Sequence, residues 1–296
     1  MLAMIKSPIV TTAWLEDNLH NKQVIILDTS MNKVVGKKPL TYDEPVFIPM
    51  SKRFDLENIF CNLTSSQHNA FPSQALFTQE AQKLGINADN IVVLYDNQGI
   101  YSAPRAWWVF QTMGFKHAVV LDGGLPQWLL ENRATVSELS REHAEQGNII
   151  GVYQSSLVCD SNYIIENITS DKQTIIDARS TARFLGRTAE PRAGVRSGHI
   201  PKSVNLPFAQ ILTQHRFKNS QQLANIFSSL LSNKCNESNE SNESNESNEI
   251  IFTCGSGITA CIIMLAAVIA GYQHTTLYDG SWSDWGSNDS LPVEKN

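Results

Sequence analysis

No run of apolar residues in this chain is long enough to cross a bilayer. The longest, Ile258–Ala270 ("ITACIIMLAAVIA"), falls short of the roughly 20 residues a spanning helix needs and reads as a buried helix. The N-terminal stretch "MLAMIKSPIVTTAW" lacks the apolar core and cleavage site of a secretory signal. Cysteine is sparse. The five, at positions 61, 159, 235, 254 and 261, are odd in number and scattered, so neither a disulfide framework nor a zinc-ligand spacing emerges. Basic charge is also in deficit, with 23 Lys and Arg against 29 Asp and Glu and a formal net charge of -6. That balance argues against nucleic acid or an anionic membrane as partner. A small anionic substrate is still allowed, because a local arginine cluster can work inside an acidic protein. These absences together predict a reduced, cytoplasmic protein without a metal.

What is present is one pattern written twice. "NIVVLYDNQGIYSAPRAWWVFQTMGFKHAVVLDGGLPQW" (90–128) is matched by "EIIFTCGSGITACIIMLAAVIAGYQHTTLYDGSWSDW" (249–285). Gly114, His117, Asp122, Gly123 and Trp128 fall on Gly271, His274, Asp279, Gly280 and Trp285, all offset by 157. Upstream, "VIILDTS" (24–30) pairs with "TIIDARS" (174–180), and "FIPMS" (47–51) weakly with "HIPKS" (199–203). Short β-branched strands alternating with helical segments imply parallel strands and crossover helices. The expected fold is α/β, with two tandem domains, each a mainly parallel sheet flanked by helices. The expected boundaries are a domain over 1–135, a linker over 136–155 and a second domain over 156–296. The tract "NESNESNESNESNE" (236–249) has no apolar residue to bury and no helical or strand period, which predicts a disordered surface loop.

Three readings compete for "CGSGITA" (254–260), which follows a β-like run and precedes an apolar helix. Cys254 could be a small buried hydrophobe. "GSGITA" also fits the dinucleotide fingerprint, with Asp279 in reach of a ribose. Only 17 residues follow Asp279, however, so the second half of such a sheet has no room. The third reading makes Cys254 a nucleophile. A thiol facing a helix N-terminus sits among N–H groups and the positive end of the helix dipole. Gly255 and Gly257 let that backbone curl around an anion on the sulfur. The first copy has Asp96 at this place, so one reactive sulfur per chain is expected. A cysteine phosphatase loop, C-x5-R, would put arginine where Ala260 stands, which removes its phosphate clamp.

The whole chain resembles the tandem-domain rhodanese-like sulfurtransferases, with a non-catalytic first domain and a catalytic second one. "CGSGITA" is similar to the C-G-S-G-V-T-A loop of the 3-mercaptopyruvate sulfurtransferases within that family. "SGHIPKSVNLPF" (197–208) and "YDGSWSDWG" (278–286) resemble its flanking signatures. The thiosulfate sulfurtransferases carry basic residues at the two positions occupied here by Gly255 and Ser256. The resemblance implies that Gly255, Ser256, Gly257, Ile258 and Thr259 form the persulfide loop around Cys254. It also selects Arg183 and Arg192, from the five arginines of "DARSTARFLGRTAEPRAGVR" (177–196), as substrate-carboxylate ligands, while Arg179 could simply pair with Asp177.

In the polar segment "FDLENIFCNLTSSQHN" (54–69) the resemblance further implies that Glu57 and His68 form a relay with Ser256. Glu57 departs from the family's aspartate. The activity implied is sulfur transfer from 3-mercaptopyruvate, through a Cys254 persulfide, to a thiol such as thioredoxin or glutathione, or to cyanide. No cofactor is required. A thiosulfate sulfurtransferase and a non-catalytic persulfide-binding adaptor are the alternatives.

Overall fold

A computed structural model of the chain describes residues 5, 7–141, 145–238 and 249–295, with backbone alone over 233–238. The chain divides into two compact units. One comprises Met1–Ser65, Asn69–Gln154 and Gln214–Phe217; the other comprises Ser66–His68, Ser155–Thr213 and Lys218–Asn296.

The first unit holds a five-stranded sheet of β1 (Ile9–Val10), β2 (Val24–Asp28), β3 (Lys52–Arg53), β4 (Ile91–Tyr95) and β5 (Ala118–Leu121), in the order β1-β5-β4-β2-β3. The second unit has β6 (Val158–Cys159), β7 (Thr174–Asp177), β8 (Val204–Asn205), β9 (Ile250–Thr253) and β10 (Thr275–Tyr278), in the order β6-β10-β9-β7-β8. The two orders are the same, and every pairing is parallel. The central strands, IVVLY and IIFT, are buried at every position. Parallel strands covered on both faces need such uninterrupted apolar runs. Among the described residues no helix is long and apolar enough to cross a membrane. The apolar run after Cys254 is the helix Ile258–Ile269, buried on nearly all sides.

The residues that repeat in sequence do the same structural work in both units. Trp128 and Trp285 are fully buried, and each indole N–H donates to a nearby carbonyl, Ala134 at 2.8 Å and Pro292 at 2.7 Å. Gly114 and Gly271 both take positive φ, 75° and 102°, where the chain leaves a helix. His117 and His274 are exposed and matter through their carbonyls, which accept from Val92 and Ile250 N–H at the start of the central strands. The weaker match proves structural too. Met50 and Lys202 are both left-handed, and the following Ser51 and Ser203 hydroxyls each donate to the carbonyl of a buried isoleucine (Ile48 and Ile200) at 2.6 Å.

The start of the Asn-Glu-Ser tract differs from the loop expected from its composition. The helix Ser220–Ser238 continues into the Asn-Glu-Ser tract as far as residue 238. Extending an existing helix carries no nucleation cost, so polar residues can join its end. Residues 239–248 of the tract lie outside the described residues.

The strand-to-helix turn of the first unit is the fold's own example of an anion cradle. Asp96 is fully buried. One carboxylate oxygen accepts from the N–H of Gln98 at 2.8 Å; the other accepts from Tyr101, Ser102 and Ala103 at 2.8–2.9 Å. Removing that carboxylate strands the donors inside the protein. Asp96→Ala should therefore lower unfolding free energy by about 2–4 kcal/mol, and Asp96→Asn by less, as it keeps one acceptor. Urea titration checks this; a loss of under about 0.5 kcal/mol in the alanine variant would contradict it.

Candidate active site

β9 ends at Thr253, and Cys254 stands at the carboxyl edge of its parallel sheet, where open α/β sheets bind ligands. The chain then turns through Gly255, Ser256 and Gly257 into the helix Ile258–Ile269. Gly257, the N-cap of that helix, takes φ 78°, a left-handed conformation that glycine adopts without a Cβ penalty. Cys254 is 1% exposed and Ser256 9%.

The segment after β10 latches this loop from the side. Trp282 N donates to Cys254 O at 2.9 Å and Ser283 N donates to Gly255 O at 2.8 Å. Cys261, one of the buried free thiols, donates to Gly257 O at 3.1 Å.

The arginine-rich segment separates into distinct roles. Arg179 is wholly buried, forked on Asp177 (Nη2–Oδ2 2.6 Å), paired with Glu190 (3.0 Å), donating to Gly198 O (2.9 Å) and packed 4.4 Å over the Trp282 ring. Burial alone would pull its pKa down; the Asp177 and Glu190 carboxylates more than offset that and hold it above its ordinary value. It pairs with Asp177, as its spacing allowed. Arg183 also leans on Glu190, through Nε at 3.1 Å and through Nη2. A Cβ built on Gly255 would lie 3.0 Å from Arg183 Nη2. The guanidinium therefore lies against the loop at the residue after Cys254, and glycine is what makes room for it. Arg192 is half-buried and has no hydrogen bond or ion pair among the described residues. Glu190 was not singled out in the sequence. The signal was there: it is the one acid between Asp177 and Arg196 in a segment of five arginines.

The polar segment 54–69 of the sequence divides. His68 is exposed and counts with the same compact unit as Ser256; its neighbour Gln67 donates to Asp279 Oδ2 at 2.5 Å in that unit. Glu57 counts with the first unit, where its Oε2 accepts from Asn32 N (2.9 Å) and Nδ2 (3.0 Å). Cys61 is buried, and burial pushes its thiol above the ordinary value.

A model of the rhodanese-like domain matches residues 11–131 and 161–288, covering most of both units. The chain belongs to the rhodanese-like family. It is 32% identical to the 3-mercaptopyruvate sulfurtransferase of Mus musculus, over 94% of this chain and 91% of that one. It is 34% identical to the thiosulfate sulfurtransferase of Rattus norvegicus, over the same shares. The crystal structure of SseA from Escherichia coli, a 3-mercaptopyruvate sulfotransferase of "Rhodanese" fold, superposes with a TM-score of 0.76 at 26% identity, covering 94% of this chain and 99% of that one. This rhodanese-like chain is accordingly a sulfurtransferase.

The two arginine environments predict stability effects of very different size. Arg179→Lys loses the planar fork, leaves Asp177 and Glu190 poorly satisfied, and should destabilise by about 3 kcal/mol. Arg192→Ala breaks no hydrogen bond or ion pair among the described residues and should stay within about 0.5 kcal/mol of wild type. Thermal and urea unfolding of the two variants, measured side by side, checks the contrast.

Proposed function

We propose that the protein is a 3-mercaptopyruvate sulfurtransferase whose second domain is the catalytic one. The observation that carries this reading is the Arg183 guanidinium against Gly255, beside Cys254. The donor has a carboxylate and an adjacent ketone oxygen, and a planar guanidinium suits both. Glu190 takes one edge of Arg183, while Arg192 is unpaired among the described residues and can meet an incoming carboxylate. Thiosulfate leaves as compact, dianionic sulfite, which favours cationic side chains on the loop itself, and Gly255 and Ser256 supply none. The 34% identity to the rat thiosulfate sulfurtransferase makes thiosulfate transfer the second reading.

In the proposed cycle the Cys254 thiolate attacks the donor's sulfur. An S–S bond forms as the C–S bond breaks, its electron pair passing to pyruvate enolate, which is then protonated at carbon. Cys254 is left as a persulfide, with the N–H groups of Gly255 to Thr259 around its charge. An acceptor thiolate, such as that of thioredoxin or glutathione, or cyanide attacks the outer sulfur and Cys254 leaves as thiolate, a two-step exchange typical of covalent catalysis. Ser256 holds the enolate oxygen or delivers the proton, and His68 restores it. Glu57 is the third member of this relay, and its existing bonds to Asn32 make it the weakest. Cys61, Cys159, Cys254 and Cys261 are free thiols, which suits a reducing compartment such as the cytoplasm.

With 3-mercaptopyruvate the intact mass should rise by one sulfur that a reductant removes, and Cys254→Ser should abolish the gain. Thiosulfate at equal concentration should load sulfur more slowly. Faster loading from thiosulfate would move the assignment to the second reading, and sulfur retained in Cys254→Ser would remove Cys254 as carrier.

Residues that act as one relay are non-additive. Ser256→Ala and His68→Ala should each slow single-turnover pyruvate release by about 10²–10⁴-fold, with the double variant little worse than the slower single. Glu57→Gln should cost less. Wild-type release from His68→Ala would show that Cys254 and its loop work without the relay.

A further inference from the structure

Ser281 is a fully buried residue held at φ 52°, in the left-handed region where side chains other than glycine are rare. Such backbone strain in a packed interior is kept only where the surroundings enforce it, and it concentrates at functional sites. The internal repeat supplies the comparison. The first unit's counterpart, at the shared offset of 157, is Gly124 at φ 50°. A Cβ on Gly124 would lie 2.5 Å from Asp96 O and 2.6 Å from Gly99 O, so no side chain fits there. One latch is common to both units: Leu125 N donates to Asp96 O at 3.0 Å, as Trp282 N does to Cys254 O at 2.9 Å. The second unit keeps the backbone shape and adds a hydroxyl.

That hydroxyl has a defined task. Ser281 Oγ donates to Tyr278 O at 2.9 Å, which uses its one proton, and so meets Cys254 N, 3.2 Å away, as an acceptor. With the Trp282 and Ser283 amides on the next two carbonyls, Cys254 and Gly255 are held by three hydrogen bonds from one short segment. We propose that Ser281 is a positioning residue: its hydroxyl fixes the backbone of Cys254, and with it the sulfur relative to the helix N-terminus, at the cost of a strained backbone that the non-catalytic unit avoids with glycine. The proposal rests on the reading of Cys254 as sulfur carrier, and its test separates the two.

Two substitutions split hydroxyl from backbone. Ser281→Ala keeps the strain and loses the acceptor; Ser281→Gly relieves the strain and loses the acceptor too. Both should slow single-turnover sulfur loading of Cys254 from 3-mercaptopyruvate by about tenfold or more, as misplacing a reacting group does. KM for the donor should stay within about twofold, because the Ser281 hydroxyl is bonded to Tyr278 O and Cys254 N and not to Arg183 or Arg192. The glycine variant should melt at or above the alanine variant while being equally slow. Alkylation of Cys254 by iodoacetamide, read by peptide mass, should change in both variants and needs no sulfur donor.

Wild-type loading and alkylation in either variant would overturn the proposal. So would rates that follow melting temperature, with glycine restoring what alanine loses, since backbone shape alone would then explain the residue. If wild-type protein takes no sulfur from the donor while the variants still alter alkylation, the reading of function fails and the positioning role stands.

Discussion

The N–H groups that gather where a parallel strand gives way to a helix constrain both halves of this protein. A helix start leaves donors without intrahelical acceptors, and a buried cluster of donors demands a negative partner. The first unit meets that demand from within: the Asp96 carboxylate accepts four backbone N–H groups. The second unit places Cys254 at the same point, with a loop of Gly255, Ser256 and Gly257 in front of its helix. One turn thus holds a buried carboxylate in one copy and a buried thiol in the other.

Around the second cradle, charge is arranged in a chain. Asp177 holds Arg179, Arg179 shares Glu190 with Arg183, and Arg183 reaches the loop at Gly255. Asp177 and Glu190 pair with the inner arginine, and Glu190 also holds the Arg183 Nη2 that lies at Gly255. A side chain at residue 255 would displace that nitrogen. Loop composition and arginine placement are therefore one property, set by the space a single glycine leaves.

Much of this was legible in the order of residues. The repeat predicted two like α/β units because its shared tryptophans, glycines and serines make local turns and anchors that any copy of the fold needs. The position of Cys254 between a β-branched run and an apolar helix predicted a thiol at a strand's carboxyl edge, since strand and helix periods are local. The end of the helix Ser220–Ser238 was not legible: the tract's composition suggested coil, but a helix already formed carries polar residues with it.

Sequence by itself determined the duplication, the parallel α/β architecture, the place of Cys254 between strand and helix, and the glycines that follow it. These follow from patterns spanning a few residues or from one half compared with the other. Tertiary structure alone decided which arginine is sealed in an ion pair and which reaches the loop, and that Glu190 links them. It alone decided that Ser281 spends backbone strain to set a hydroxyl against Cys254 N, 27 residues away along the chain. Those facts depend on approach in space between segments far apart in sequence, which neither periodicity nor composition records.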